Sequence, residues 1–270
     1  MRNLHKAYYK YYFQESDFVS LAKDKEHSKT TVNIIKQHCD ELCAPNILVK
    51  IEPNPIVNQT IKMTIAYPGL VTGVGINHEA KIEGAFKLGV HFDYTWGMPV
   101  VYGSSVKGVL RAYFIELYKG DLDAIDLIHD IFCGETRNVS LEKEIYKTEW
   151  LEMVKSEKNR KYSPKSIYEC DIFFDAVITR ANRNECILCS DSITPHNENQ
   201  LKNSTPFSFL KIAPGCEMEF RFKLVDTKDG NGKVIFSKGL KMALFEEILM
   251  TVGVGAKTNV GYGQLHHSHH

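Results

Sequence analysis

The sequence predicts an α+β fold, compatible with one or two copies of the split β-α-β plan of ferredoxin-like domains. Three observations carry this expectation. Short β-branched runs bounded by Gly, Pro and Asn stand both early and late in the chain. Amphipathic stretches of helical period lie at 104–117 and 239–250. The order is strands, two helices, strands, a helix and a short terminal strand, so strands and helices do not alternate strictly.

Residues 1–45 read as a helical N-terminal extension. Tyr8, Tyr9, Tyr11, Tyr12, Phe13 and Phe18 crowd its first part, and Val32, Ile35, Cys39 and Leu42 recur at helical spacing until Pro45. Such an aromatic stripe can stack on bases, but it more commonly packs on the body of the protein or on a neighbouring subunit. Strands are expected at 47–51 and 61–66, followed by the Tyr67-Pro68-Gly69 turn. Residues 85–93 alternate like a half-buried strand.

Ser104 and Ser105 are placed to cap the next helix. Val106, Val109, Leu110, Tyr113, Phe114 and Leu117 form its apolar stripe. Residues 121–132 predict a second, short helix. The run 155–165 holds five basic residues against one acid and reads as an exposed loop. Strands are expected at 172–178, 207–212 and 217–224, and Asp229-Gly230-Asn231-Gly232 marks a hairpin. In the last helix, Leu240, Ala243, Leu244 and Ile248 lie on one side and Met242, Phe245 and Leu249 on another.

The 270 residues are 43% hydrophobic and 24% charged, an ordinary globular composition. A chain of this length buries about three quarters of its unfolded surface, and two related halves sharing a core are expected. Lys plus Arg equal Asp plus Glu at 33 each. A neutral body suits a subunit that meets nucleic acid on one face and protein on others better than a free-standing, basic nucleic-acid binder. Seven irregularly spaced cysteines, no secretory signal and no apolar run of membrane length point to a reduced, cytoplasmic protein without a membrane partner. The His-rich tail at 266–270 is set aside from function.

Two places suggest anion binding. Lys107 and Arg111 sit one turn apart near a helix start, where free N–H groups and the dipole favour phosphate. The spacing equally fits a capped core helix with two solvated cations. The second place is TVGVGAKTNVGYGQL at 251–265, where Gly253, Gly255, Gly261 and Gly263 accompany Lys257, Thr258, Asn259 and Tyr262 without an acid. Glycines let a backbone approach a sugar-phosphate chain closely, and Tyr262 is available to stack. This is not a Walker or dinucleotide loop. Ala256, not glycine, precedes Lys257, and a helix rather than a strand comes before.

No cofactor and no metal ligand set is expected. Cys186 and Cys189 form a lone CxxC, Cys39 and Cys43 lack a partner pair, and Asp93, Asp175 and Asp191 are scattered. No catalytic residue is assigned. A metal-free ribonuclease needs a general base and acid beside a cation, which His78 with Lys107 or Arg111 supplies only if the fold gathers them.

From about Tyr67 to Leu265 the chain resembles the RAMP superfamily, and within it the sixth subunits of type III-B (Cmr) CRISPR effector complexes. The resemblance rests on YPGLVTGVG, LGVHFDYTWGMPVVYGSSVKGVLRAYF at 88–114, FFDA at 173–176, SDSITPHN at 190–197, STPFSFLKIAPG at 204–215 and GVGAKTNVGYG, in that order and spacing. It implies an RRM-like RAMP domain over 46–265, two fused ferredoxin-like copies with one degenerate. It further implies a non-catalytic RNA-binding role in antiviral defence, with guide RNA, target RNA and other RAMP subunits as partners. The chain would hold the 3′ region of the guide and the guide–target duplex. Carried over by position, the RNA contacts are the 253–263 loop and the helix start at 104–111; His196 matches the family's turn and receives no catalytic role. The alternative is a metal-independent RAMP endoribonuclease that processes guide precursors, dependent on His78 or His196.

Overall fold

A computed structural model describes residues 3–14, 29–49, 51–52, 54–73, 84–117, 122–139, 160–194 and 206–268. The helices are α1 (Leu4–Lys6), which runs on as a π-helical turn over Ala7–Tyr11, α2 (Lys29–Cys43), α3 (Gly103–Leu117), α4 (Leu122–Ile128), continued by a π-helical turn over His129–Cys133, and α5 (Lys238–Val252). The strands are β1 (Gln59–Ile65), β2 (Phe86–Leu88), β3 (His91–Phe92), β4 (Pro99–Val101), β5 (Glu135–Arg137), β6 (Tyr162–Pro164), β7 (Ile172–Phe173), β8 (Ala176–Arg180), β9 (Leu188–Ile193), β10 (Phe207–Ile212), β11 (Glu217–Lys223), β12 (Thr227–Lys228), β13 (Val234–Phe236) and β14 (Leu265–His267).

The main sheet has the order β14-β1-β11-β8-β4-β3, with β7 also on β11, and its pairings are antiparallel. Four of its strands stand in the spatial order β14-β1-β11-β8, with α3 falling between β1 and β8 in sequence and α5 between β11 and β14, an arrangement compatible with the split β-α-β plan. A second sheet, β2-β10-β9, carries one parallel and one antiparallel pairing. The fold is thus mixed α/β around an antiparallel sheet. No described helix is long and apolar enough to cross a membrane.

The core explains the elements. β1 alternates outward Lys62 with inward Ile61, Met63 and Ile65. Phe245 of α5 meets Phe132, Phe173 and Phe222 at ring separations of 5.6–6.2 Å, clamping helix to sheet. α5 begins on a Ser237 cap, whose hydroxyl accepts from the Leu240 N–H. Its inward stripe is Lys241, Phe245, Ile248 and Leu249, which draws on both apolar sides read in the sequence, while Leu240 is 55% exposed. Lys241 is completely buried because its ammonium reaches Asp171 at 2.6 Å and donates to the Val225 carbonyl at 2.8 Å. A charge placed so deep is tolerated only when paired and hydrogen-bonded. The apolar pattern, which left two sides open, does not reveal the buried lysine.

Other expectations need correction. The described residues of the stretch expected as a strand at 47–51, which are 47–49 and 51, form no strand. Leu48, Val49 and Ile51 instead run as a strap beside the outer face of the sheet, lining a cavity of about 540 Å³ with Ile178, Thr179, Glu219 and Arg221. The run 172–178 is two strands, β7 and β8, because Phe174 and Asp175 break the ladder to receive the start of α3. The first aromatic segment is built into the core. Tyr8 and Tyr12 are buried, and the Phe86 N–H donates to the Tyr12 hydroxyl at 2.7 Å. Tyr9, in contrast, is 47% exposed. The first two tail residues continue β14, where His266 and His267 pair with Thr64 and Met63.

Candidate nucleic-acid interface

Beyond α5 the chain folds back on itself. The Val254 N–H donates to the Gly263 carbonyl at 2.9 Å, the Ala256 N–H to Val71 at 2.6 Å, and the Gly263 N–H to Gly69 at 2.8 Å. The loop's two limbs are thus zipped to each other and to residues 69–71. A β-carbon would stand 2.3 Å from the Gly263 oxygen at Gly253, 2.4 Å from the Val71 oxygen at Gly255, and 1.8 Å from the Val254 oxygen at Gly263. Three of the four loop glycines are therefore required by the protein's own backbone packing, not by a ligand's approach.

The tip, 255–261, faces outward. Gly255, Asn259 and Val260 are exposed; Lys257, Thr258 and Gly261 are half-buried. Lys257 stands at φ 62, ψ 31, left-handed without being glycine. Such a side chain costs about 1–2 kcal/mol there relative to an ordinary helical conformation. The sequence keeps a cation at a position whose backbone favours glycine.

Tyr262 is not available to stack. It is 8% exposed, edge-on to Phe209 at 5.7 Å, and its hydroxyl donates to Asp191 at 2.8 Å. Lys211, buried on β10, donates to the same Asp191 oxygen at 2.5 Å. Burial works to push the Asp191 carboxyl up. Hydrogen bonds from Lys211, Tyr262 and the Ser192 N–H, with the lysine's charge, outweigh it and hold the carboxyl below its ordinary value. The Tyr262 hydroxyl is pushed up to about 12 by burial and by its bond to Asp191. This triad joins three of the quoted sequence runs, 190–197, 204–215 and the loop. No local pattern reveals it, because Asp191, Lys211 and Tyr262 come from three separate elements.

At α3 the buried stripe is Val106, Leu110 and Phe114; Val109 and Tyr113 are half-buried, and Leu117 is exposed. The serines do not supply the observed cap. Ser104 and Ser105 are exposed, and the Gly103 N–H donates to Asp175 at 2.7 Å. A carboxylate thus already occupies the favourable field at this helix start. A phosphate there would meet Asp175, which weakens the expectation of an anion site at the terminus itself. What remains are the cations: Arg111, exposed, and Lys107, half-buried with its ammonium 5.8 Å from the centre of the Phe173 ring.

The fold places the loop beside α3, where Val109 alone of the predicted stretch 104–111 lines a shared cleft. This cleft of about 320 Å³ lies between Val109, Ala112, Tyr113 and Glu116 of α3 and Val252, Gly253, Gly255 and Thr258 of the loop. Its one acid is Glu116.

The other candidates have structural partners or lie elsewhere. Asp93 accepts from the Thr95 and Trp96 N–H groups. Burial pushes the Cys39 thiol up to about 11 and the Cys43 and Cys216 thiols up to about 12, which marks them as inert. His78, His196 and residues 155–159 of the basic run lie outside the described residues.

A model of the RAMP superfamily matches residues 62–266. No curated protein matches the sequence. Among solved structures, a chain in the cryo-EM structure of the type III-B Cmr-beta bound to cognate target RNA is 21% identical with a TM-score of 0.48. The alignment covers 78% of this chain and 58% of that one, so this chain spans little more than half its length. The crystal structure of Cmr6 from Pyrococcus furiosus is 20% identical with a TM-score of 0.38, over 78% of this chain and 97% of that one.

Proposed function

Because the chain belongs to the RAMP superfamily, whose model spans residues 62–266, we propose that it is a non-catalytic RNA-binding subunit of a type III-B CRISPR effector complex. In this reading it holds the 3′ region of the guide RNA and the guide–target duplex, in the cytoplasm and in antiviral defence. Its partners are guide RNA, target RNA and other RAMP subunits. The three-stranded sheet β2-β10-β9 is then the remnant of a second, degenerate ferredoxin-like copy.

The observation that carries the RNA contact is the outward tip at 255–261. It presents Lys257, Thr258 and Asn259 from a loop whose limbs are fixed by backbone hydrogen bonds. A rigid loop positions a cation and small polar groups without an ordering cost on binding. Lys107 and Arg111 extend the cationic path along α3. Ser104 and Ser105, exposed at its start, add hydroxyls that can hydrogen-bond phosphate oxygens. The glycines Gly253, Gly255, Gly261 and Gly263 support the contact by shaping the loop, and Tyr262 by anchoring it. Backbone contacts of this kind hold a strand regardless of its sequence.

The test is binding and cleavage of a labelled guide RNA at two salt concentrations, with the wild type and a Lys107→Ala/Arg111→Ala/Lys257→Ala variant. Binding without cleavage, with a salt slope reduced by up to about 2–3 in the variant, is expected. Cleavage abolished by His78→Ala or His196→Ala would overturn the non-catalytic assignment in favour of a guide-processing endoribonuclease. Wild-type binding that ignores salt would overturn the phosphate contact.

A further inference from the structure

Away from the loop and α3, the end of α4 gathers three different metal-ligand types. The π-helical turn ends at Gly134, whose left-handed conformation (φ 69, ψ 37) turns the chain into β5. Glu135 thereby comes back beside the turn, and its carboxylate lies 2.8 Å from Nδ1 of His129. A ligand atom from each of His129, Cys133 and Glu135 lies within 4.8 Å of the other two. A tetrahedral zinc ion, with bonds of about 2.0–2.3 Å, holds its ligands about 3.3–3.8 Å apart. To surround an ion the His129–Glu135 pair opens by about 0.5 Å and the wider separations close by up to about 1 Å, movements on the scale of side-chain rotation.

The surroundings favour such a site. The His129 ring lies flat on Tyr162, with centroids 3.7 Å apart and planes 7° from parallel, so its plane is set in advance. Tyr162 is held by Asp126, to which its hydroxyl donates at 2.8 Å. His129 and Glu135 are partly exposed and Cys133 is exposed, which leaves an ion a path from solvent. A second thiol stands at the same corner: Cys170 Sγ is 3.0 Å from where a Gly134 β-carbon would be.

We propose that His129, Cys133 and Glu135 bind a zinc-class divalent cation that ties the end of α4 to the paired strands β5 and β6. A thiolate with an imidazole and a carboxylate selects Zn²⁺ over Mg²⁺ or Ca²⁺. Binding displaces the proton of the Cys133 thiol to solvent, so affinity rises with pH. The pattern is readable as His-x-x-x-Cys-x-Glu, a spacing that neither cysteine pair considered from the sequence contains. The site stands independently of the RNA-binding proposal.

The test is Co²⁺ titration of the full chain, followed in the near ultraviolet, with Zn²⁺ as competitor. The His-rich tail also binds Co²⁺ but through imidazole alone, so only a cysteine-containing site produces a thiolate-to-cobalt charge-transfer band. The expected result is a band saturating at one equivalent, displaced by Zn²⁺ and lost in Cys133→Ser. Glu135→Gln, which leaves the thiol untouched, should weaken binding at least about tenfold. Circular dichroism checks that both variants fold. No band in the wild type, or a band unchanged in Cys133→Ser, would overturn the proposal.

Discussion

Replacing Lys257 with glycine separates what the loop does for the fold from what it does for RNA. Lys257 is held at φ 62, ψ 31, which costs a non-glycine residue about 1–2 kcal/mol. Glycine removes that cost but loosens the unfolded chain, returning about 0.4–1 kcal/mol. The net expectation for Lys257→Gly is a gain of about 0.5–1 kcal/mol, or a melting temperature higher by about 2 °C. Lys257→Ala keeps the left-handed strain and should leave stability within about 0.5 kcal/mol of the wild type. Both variants lose the same cation. If Lys257 meets a phosphate, both should weaken guide-RNA binding alike, and each should lower the salt slope by about 0.7–0.9. Thermal melts and anisotropy titrations at several salt concentrations read the two effects separately. Destabilisation by Lys257→Gly, or an unchanged salt slope in both variants, would refute the reasoning.

Four further outcomes follow from the loop and its anchor. Gly263→Ala drives a β-carbon to 1.8 Å from the Val254 oxygen and should destabilise by at least about 3 kcal/mol, from left-handed strain plus disrupted backbone bonds. Gly261→Ala has its nearest neighbour at 3.7 Å and should cost only about 1 kcal/mol of dihedral strain; urea melts compare the two. Tyr262→Phe removes the hydrogen bond to the Asp191 carboxylate and should cost about 1–2 kcal/mol without changing the salt slope of RNA binding. Finally, the Asp191 carboxyl sits below its ordinary value in the fold, so the unfolded chain takes up its proton first as pH falls. Its contribution to stability is full above about pH 4 and is lost as pH drops through the lower folded value. Stability measured across that window should therefore fall more steeply in the wild type than in Asp191→Asn.

The mixed order of strands and helices was legible because several elements carry their own period. α3 shows its stripe at 106, 110 and 114, and β10 and β11 coincide with their β-branched and aromatic runs to within one residue. Features set by tertiary partners were not legible. The buried lysine on the inward face of α5 was not legible because its burial depends on a bond to Asp171, seventy residues away. Of the strand expected at 47–51, the described residues 47–49 and 51 pair with no sheet edge, which their apolar composition cannot reveal. The cap of α3 comes from Asp175 rather than from the adjacent serines.

The candidate interface divides in the same way. Glycine density correctly marked an unusual backbone, yet three of those glycines are explained by the loop's contacts with itself and with residues 69–71. The outward cation at Lys257 was readable from local sequence, whereas the inward anchoring of Tyr262 needed Asp191 and Lys211 to be placed beside it.

The most direct measurement is ultraviolet crosslinking of guide RNA to the assembled effector complex, with the crosslinked peptides of this chain identified by mass spectrometry. The proposed function predicts crosslinks concentrated at residues 255–261 and along 104–111, depleted in the Lys107→Ala/Arg111→Ala/Lys257→Ala variant. Crosslinks confined to other surfaces, with none at the loop tip or the start of α3, would contradict it.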